Sequence, residues 1–184
     1  MPIWVWVIEH TDGAYIVDTG ANPTVNNSVY FKSSGMFSNW FNNKMFRFSF
    51  DKEQGNDMQL FKIGIYPSDT KAVVLTHLHL DHIDGVGHFP EAKIMVSKLE
   101  WESPYGAFPK LYPKWLKPEL FELNEKYQNF DNAFYLTHSK DLVAIHTPGH
   151  TPGSNSMVLK TDDFDIVFAG DICYHQDQLI GNMY

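Results

Sequence analysis

Short apolar runs separated by polar, Gly- and Pro-containing turns set the rhythm of this chain, and their period is more often that of strands than of helices. Residues 3–8 are rich in β-branched and aromatic side chains, and the turn Thr11-Asp12-Gly13 follows. Residues 14–17 then resume the pattern, which predicts a hairpin ending in Asp18-Thr19-Gly20. The same signature predicts strands at 71–75, 93–96, 120–123, 133–136, 142–146, 156–159 and 165–169. Helical periodicity is weaker. Residues 58–65, with Asp57 near the start, predict a helix that ends at Tyr66-Pro67-Ser68-Asp69. Asp81 is placed to cap a helix or turn through 83–86, and Ser97 to cap a short helix containing Glu100 and Trp101.

Two stretches follow neither period. In 21–54, Asn26, Asn27, Asn39, Asn42 and Asn43 alternate with Phe and Tyr residues, Trp40, Met36 and Met45, and a helix is expected around 36–45. Residues 103–118 carry Pro104, Pro109, Pro113 and Pro118 among further aromatics, which predicts an interrupted loop-and-helix segment. These aromatics are expected to pack on the domain. The alternatives are a cover for an apolar substrate and a homodimer surface.

Composition narrows the class. At 184 residues and 43% hydrophobic content the chain can bury a sizeable core. It shows no repeat and no linker, so 1–184 is read as a single domain. The net charge of −8 argues against nucleic acid or an anionic membrane as the main partner. Cys173 is the single cysteine, which excludes an internal disulfide and a cysteine-built metal site. The first residues lack a basic n-region and a cleavage site, and a cytoplasmic location is expected.

Candidate chemistry concentrates in Thr76-His77-Leu78-His79-Leu80-Asp81-His82, which follows the apolar run at 72–75. His77 and His79, two apart, leave the same face of an extended backbone, while Asp81 and His82 come where the chain must turn away. Imidazoles with a carboxylate and no thiolate suit zinc, iron or manganese. Two later strand ends add donors: His150 in Thr147-Pro148-Gly149-His150-Thr151-Pro152-Gly153-Ser154, and Asp171 after Gly170. Ligands on loops at one edge of a rigid sheet make a preorganised site. Asp18 is read either as turn chemistry or as a support for a ligand. His10 and His138 are expected as exposed turn residues, His88 and His146 as structural or supporting ones.

The sequence T-H-L-H-L-D-H, then T-P-G-H-T-P-G-S, then A-G-D resembles the successive metal motifs of the metallo-β-lactamase-fold hydrolases, over about residues 14 to 175. The resemblance implies an α/β (α+β type) fold, the αβ/βα sandwich. It implies that His77, His79 and His150 hold a first divalent metal ion, and that Asp81 and His82 serve a second. Asp171 would bridge the two. Zinc is the expected metal, with iron, manganese or cobalt as alternatives. Asp171-Ile172-Cys173-Tyr174 is similar to the N-acyl homoserine lactonase branch, in which the tyrosine faces the substrate. That branch implies a quorum-quenching metallo-hydrolase whose metal-bound hydroxide opens a small-molecule lactone or ester with an apolar portion. Tyr174 would polarise the carbonyl, and Asp81 would pass a proton to the leaving group. The alternatives are another hydrolase of the fold (glyoxalase II-like thioesterase, phosphodiesterase or β-lactamase), a di-iron redox protein, and a non-catalytic binding domain.

One departure stands out. The family supplies a late histidine to the second metal, and here only His175 follows Asp171, too close to match it. Together with a start inside a strand, this leads to the expectation of a chain truncated at both ends, with the second metal weakly held.

Overall fold

The computed structural model describes residues 3–27, 30–34, 40, 44, 49, 51–175 and 177–178. Ten strands are found among them, arranged as two five-stranded sheets. In the first sheet, β1 (Trp6–His10) and β2 (Gly13–Val17) form an antiparallel hairpin. β3 (Thr70–Val74), β4 (Lys93–Ser97) and β5 (Glu119–Phe121) then add in parallel, in the order β1-β2-β3-β4-β5. The second sheet is an antiparallel meander of β6 (Glu125–Tyr127), β7 (Phe130–Tyr135), β8 (Leu142–His146), β9 (Asn155–Lys160) and β10 (Asp165–Phe168).

Side-chain alternation decides how the layers stack. Tyr15, Val17, Ala72, Val74 and Met95 leave one face of the first sheet and meet Leu142, Ala144, Met157 and Phe168 of the second. The intervening Ile16, Val73, Leu75, Ile94 and Val96 leave the opposite face and pack against Leu60, Leu78, Ile83, Val86 and Phe89. Because β2, β3 and β4 are covered on both faces, they read as nearly continuous apolar runs. Leu60 belongs to α1 (Asn56–Lys62), and Ile83 to the one-turn helix α2 (Leu80–Ile83). A third short helix, α3 (Lys98–Glu102), follows β4 directly, with the Ser97 hydroxyl accepting from the Glu100 N–H. On the outer face of the second sheet, the cluster of Tyr127, Ala133, Val143, Ile145 and Val158 draws on strands alone.

Several expected elements shift. The hairpin's first strand runs to His10, α1 begins at Asn56 rather than 58, and the strand expected at 120–123 is Glu119–Phe121. The strand expected at 133–136 begins at Phe130, where it pairs with β6, an unanticipated strand whose EKY sequence has little apolar signal. Residues 103–118 hold one 3₁₀ turn, Pro109–Leu111, because their prolines interrupt any longer helix. His79, not Asp81, is the N-cap of α2, and Asp81 sits in its first turn. The helix expected around 36–45 lies, apart from Trp40 and Lys44, outside the described residues.

The registers place the loops. Val17 pairs with Val74 and Val74 with Met95, so β2, β3 and β4 end at one rim. In the second sheet His146 pairs with Asn155 and Phe168 with Met157, which brings the ends of β8 and β10 together. The Asn155 N–H donates to the Thr76 carbonyl at 3.0 Å and ties the two rims to each other.

Candidate metal centre

Five strand ends thus deliver Asp18, His77 to His82, Ser97, His150 and Asp171 to one end of the sandwich. Two groups of donors form there, each with its ligand atoms within 4.8 Å of one another. One is His77, His79 and His150; the other is His77, His82 and Asp171. Asp171 reaches towards both, with Oδ1 3.3 Å from His82 Nε2 and Oδ2 3.5 Å from His150 Nε2. Asp81 belongs to neither group; it is half-buried and lines the adjoining cleft with His82 and Asp171.

Each imidazole has one nitrogen tied to a protein oxygen and the other turned inward. His77 Nδ1 lies 3.1 Å from the Thr76 hydroxyl, His79 Nε2 3.0 Å from the Tyr105 carbonyl, and His82 Nδ1 2.8 Å from Asp18. His150 Nδ1 lies 3.3 Å from the Tyr174 hydroxyl. A carbonyl or carboxylate can only accept, so His79 and His82 donate from those nitrogens and present a lone pair or a displaceable proton inward. His79 Nδ1 and His150 Nε2 face each other at 2.7 Å. His77 Nε2 is buried and has no hydrogen-bond partner among the described residues.

The electrostatics fit this arrangement. Burial, with His82, His79 and His150 around it, drives the His77 pKa far below the imidazole range, and burial with His150 lowers His79. Both are therefore neutral, as a ligand must be. Burial would lower His82 too, but the Asp18 and Asp171 carboxylates outweigh it and push it up to about 10, so its inward nitrogen carries a proton that a cation would have to displace. Asp171 is likewise penalised by burial, yet His82 and His150 hold it below the usual carboxylate value. An orphaned buried nitrogen, four inward-facing imidazoles and a carboxylate reaching both groups fit divalent cations of the zinc type.

Backbone features hold these side chains in place. Asp18 adopts φ +59°, a region costly for most side chains, and is kept there by what its buried carboxylate accepts. That carboxylate takes the Thr76 N–H at 2.8 Å, the Thr76 hydroxyl at 2.8 Å and His82 Nδ1 at 2.8 Å. Asp18 therefore orients the His82 ring as well as shaping the turn. Gly106 packs on His79: it sits at φ +72°, and a Cβ there would lie 2.6 Å from His79 Nε2.

The other histidines lie outside both groups. His146 lies 3.0 Å from the Pro152 carbonyl, and His88 3.3 Å from Asp57. His138 is exposed, as expected. His10 is not an exposed turn residue. Its side chain is 9% exposed and is held between Asp12 and Asp141, the latter at 3.0 Å, joining the β1–β2 turn to the β7–β8 turn. Sequence reasoning gave no bonding role to Glu100, which is fully buried and hydrogen-bonds Leu78 and Thr151. Its position three residues after Ser97 marks it as a capping residue, and that spacing masks an inward-facing carboxylate.

Tyr174 stands at the mouth, 52% exposed, its hydroxyl 3.5 Å from Asp171. A cleft of about 470 Å³ opens beside it, walled by Trp4, Trp6, Phe168, Asp81, His82 and Asp171.

Such a sandwich, with its donors on one rim, defines a class of metal-centred proteins, and comparison with known proteins places the chain within it. The model of the metallo-beta-lactamase superfamily matches residues 1–181, and the chain belongs to that superfamily. An N-acyl homoserine lactonase of a Bacillus species is 29% identical over 163 residues, 88% of this chain and 60% of that protein. The crystal structure of a Bacillus thuringiensis AiiA mutant with N-decanoyl-L-homoserine bound at its active site superposes with a TM-score of 0.76 at 21% identity. That match covers 98% of this chain and 68% of the other. AidC, a dizinc quorum-quenching lactonase, superposes with a TM-score of 0.56 at 19% identity, over 89% of this chain and 54% of its own. The structural likenesses show the fold. The chain spans about 60% of the length of the first of these relatives. No helix among the described residues is long and apolar enough to cross a membrane.

Proposed function

We propose that His77, His79 and His150 hold one divalent cation, and that His82, Asp171 and Asp81 serve a second. Zinc is the first choice, and the reaction is hydrolysis of the ring ester of an N-acyl homoserine lactone. The observation that carries this reading is the set of four imidazoles, each fixed through one nitrogen and turned inward through the other, around the Nε2 of His77, which has no partner among the described residues. Divalent cations bound there supply Lewis acidity and bring the pKa of a water molecule towards ~7.

The chain's own groups do the rest. Asp171, with one oxygen towards His82 and the other towards His150, spans the two groups. The Tyr174 hydroxyl, its pKa raised by burial and by Asp171, stays protonated at neutral pH and donates to the carbonyl oxygen of the lactone. Asp81, on the same cleft wall, carries a proton to the oxygen that departs when the ring opens. Trp4, Trp6 and Phe168 give the cleft an apolar side suited to an acyl chain. The core shared by both sheets supports reading 1–184 as one domain.

A substrate panel tests the reading. Metal-loaded protein is expected to open N-acyl homoserine lactones with a kcat/KM well above that for a thioester, a phosphodiester or a β-lactam. A preference for one of those three would reassign the substrate class.

A further inference from the structure

Glu100 is fully buried, yet no lysine, arginine or histidine pairs with its carboxylate among the described residues. Taking a carboxylate out of water without a counter-cation is costly, so the partners it does have are informative. Oε1 accepts the backbone N–H of Leu78 at 2.9 Å, and Oε2 accepts the Thr151 hydroxyl at 2.6 Å. Leu78 lies between His77 and His79, and Thr151 follows His150. The three imidazoles of the first group therefore hang from two loops, 71 residues apart at His79 and His150, that meet on one side chain.

The platform beneath that side chain is itself fixed. Ser97, at the end of β4, accepts from the Glu100 N–H at 3.2 Å and donates to the Gly153 carbonyl at 3.1 Å. Gly153 packs so closely that a methyl group there would overlap the Glu100 backbone. The first turn of α3 thus grips the His150 loop through Ser97 and Glu100 and the His77–His79 segment through Glu100. A carboxylate suits the task because its two oxygens accept from two donors at once, and charge-assisted hydrogen bonds are the stronger kind.

We propose that Glu100 is a positioning residue for the first cation: it sets the spacing of the His77–His79 segment and the His150 loop, with Thr151 as its contact on the second. The assignment rests on the metal reading given above. It predicts that cutting either hydrogen bond loosens the site by the margin seen when groups that orient ligands are removed, on the order of 10–100-fold in metal affinity.

The test measures zinc affinity by competition with a chromophoric chelator, alongside urea unfolding of the metal-free protein. The proteins compared are wild type, Glu100→Ala, Thr151→Val and Thr151→Ser. Glu100→Ala and Thr151→Val are expected to bind zinc at least about tenfold more weakly. Thr151→Ser, which keeps the hydroxyl, is expected to restore wild-type affinity. Wild-type affinity in Thr151→Val, or equal losses in the Val and Ser variants, would overturn the assignment. Lowered metal-free stability with unchanged affinity would also overturn it, by confining Glu100 to the fold. If Glu100→Ala does not fold, the Thr151 pair decides alone. Wild-type protein that binds no zinc would sink the metal reading itself, and this assignment with it.

Discussion

The carboxylate of Asp18 accepts a 2.8 Å hydrogen bond from Nδ1 of His82, and both residues are buried. They lie 64 residues apart, Asp18 directly after β2 and His82 within α2. The bond fixes which nitrogen His82 turns towards Asp171. Asp18→Ala leaves the Thr76 N–H and His82 Nδ1 without their acceptor, at a cost of about 1–3 kcal/mol for a buried unsatisfied donor. The variant is expected to lose stability by that order in urea unfolding. It is also expected to bind its second equivalent of zinc about 10–100-fold more weakly, as measured by titration calorimetry.

Two glycines at similar backbone angles separate strain from function. Gly64 at φ +79° has open space around the position a methyl group would take, with no atom of the described residues within 4 Å. A Cβ at Gly106, φ +72°, would instead press on His79 Nε2 at 2.6 Å. Gly64→Ala is expected to cost only the left-handed backbone penalty, about 1 kcal/mol, with metal content unchanged. Gly106→Ala is expected to carry the same penalty and to lose metal as well. Elemental analysis of the two purified variants checks the contrast.

Tyr174 has its hydroxyl 3.3 Å from His150 Nδ1 and stands half out in solvent, so little of the fold depends on it. Tyr174→Phe is expected to lower kcat on the order of 100–1,000-fold with KM little changed, because its hydrogen bond is made chiefly in the transition state. Metal content measured at saturating zinc should stay at the wild-type level.

His10 gives a pH signature away from the metal centre. Its pKa is raised chiefly by the hydrogen bond to Asp141, against a smaller lowering by burial, with Asp12 adding to the rise. Lys71 also bonds Asp12, Tyr15 donates to Asp12, and Thr137 and Ser139 donate to Asp141. Asp141 is penalised by burial, but those hydroxyls and His10 carry its pKa well below the carboxylate range. A raised imidazole stabilises the fold at pH below its unfolded value of about 6.5, and that contribution fades as pH rises through the folded value. A lowered carboxylate stabilises above its unfolded value of about 4 and loses this as pH falls. The cluster is therefore strongest between about pH 4 and 6.5. The stability gap between wild type and His10→Ala, read from urea midpoints of the metal-free proteins, is expected to peak there and narrow above neutrality.

Much of this architecture is written locally. The alternation in β2, β3 and β4 and the Pro- and Gly-rich turns mark the strands, and His77, His79, His82, His150 and Asp171 announce themselves because imidazole and carboxylate follow apolar strands. What stays hidden depends on distant partners. His10 reads as a turn residue because Asp141, which encloses it, is 131 residues away. Asp81 has capping chemistry, but the helix has already started at Leu80. Glu100 carries no local mark that its carboxylate faces two loops and not its own helix end. Strand β6 escapes a reading of periodicity because Glu125-Lys126-Tyr127 is held by pairing with β7, not by its own hydrophobicity.

The central claim is that the rim of imidazoles acts through bound metal, and removing that metal tests it most directly. Lactone opening is followed by proton release in a pH-stat, first on protein with zinc bound, then after exhaustive chelation, then after stoichiometric zinc is returned. The account predicts loss of activity to the uncatalysed rate on chelation, recovery on re-addition, and neither activity nor full zinc uptake in His79→Ala. Undiminished ring opening by protein shown to be metal-free would contradict it.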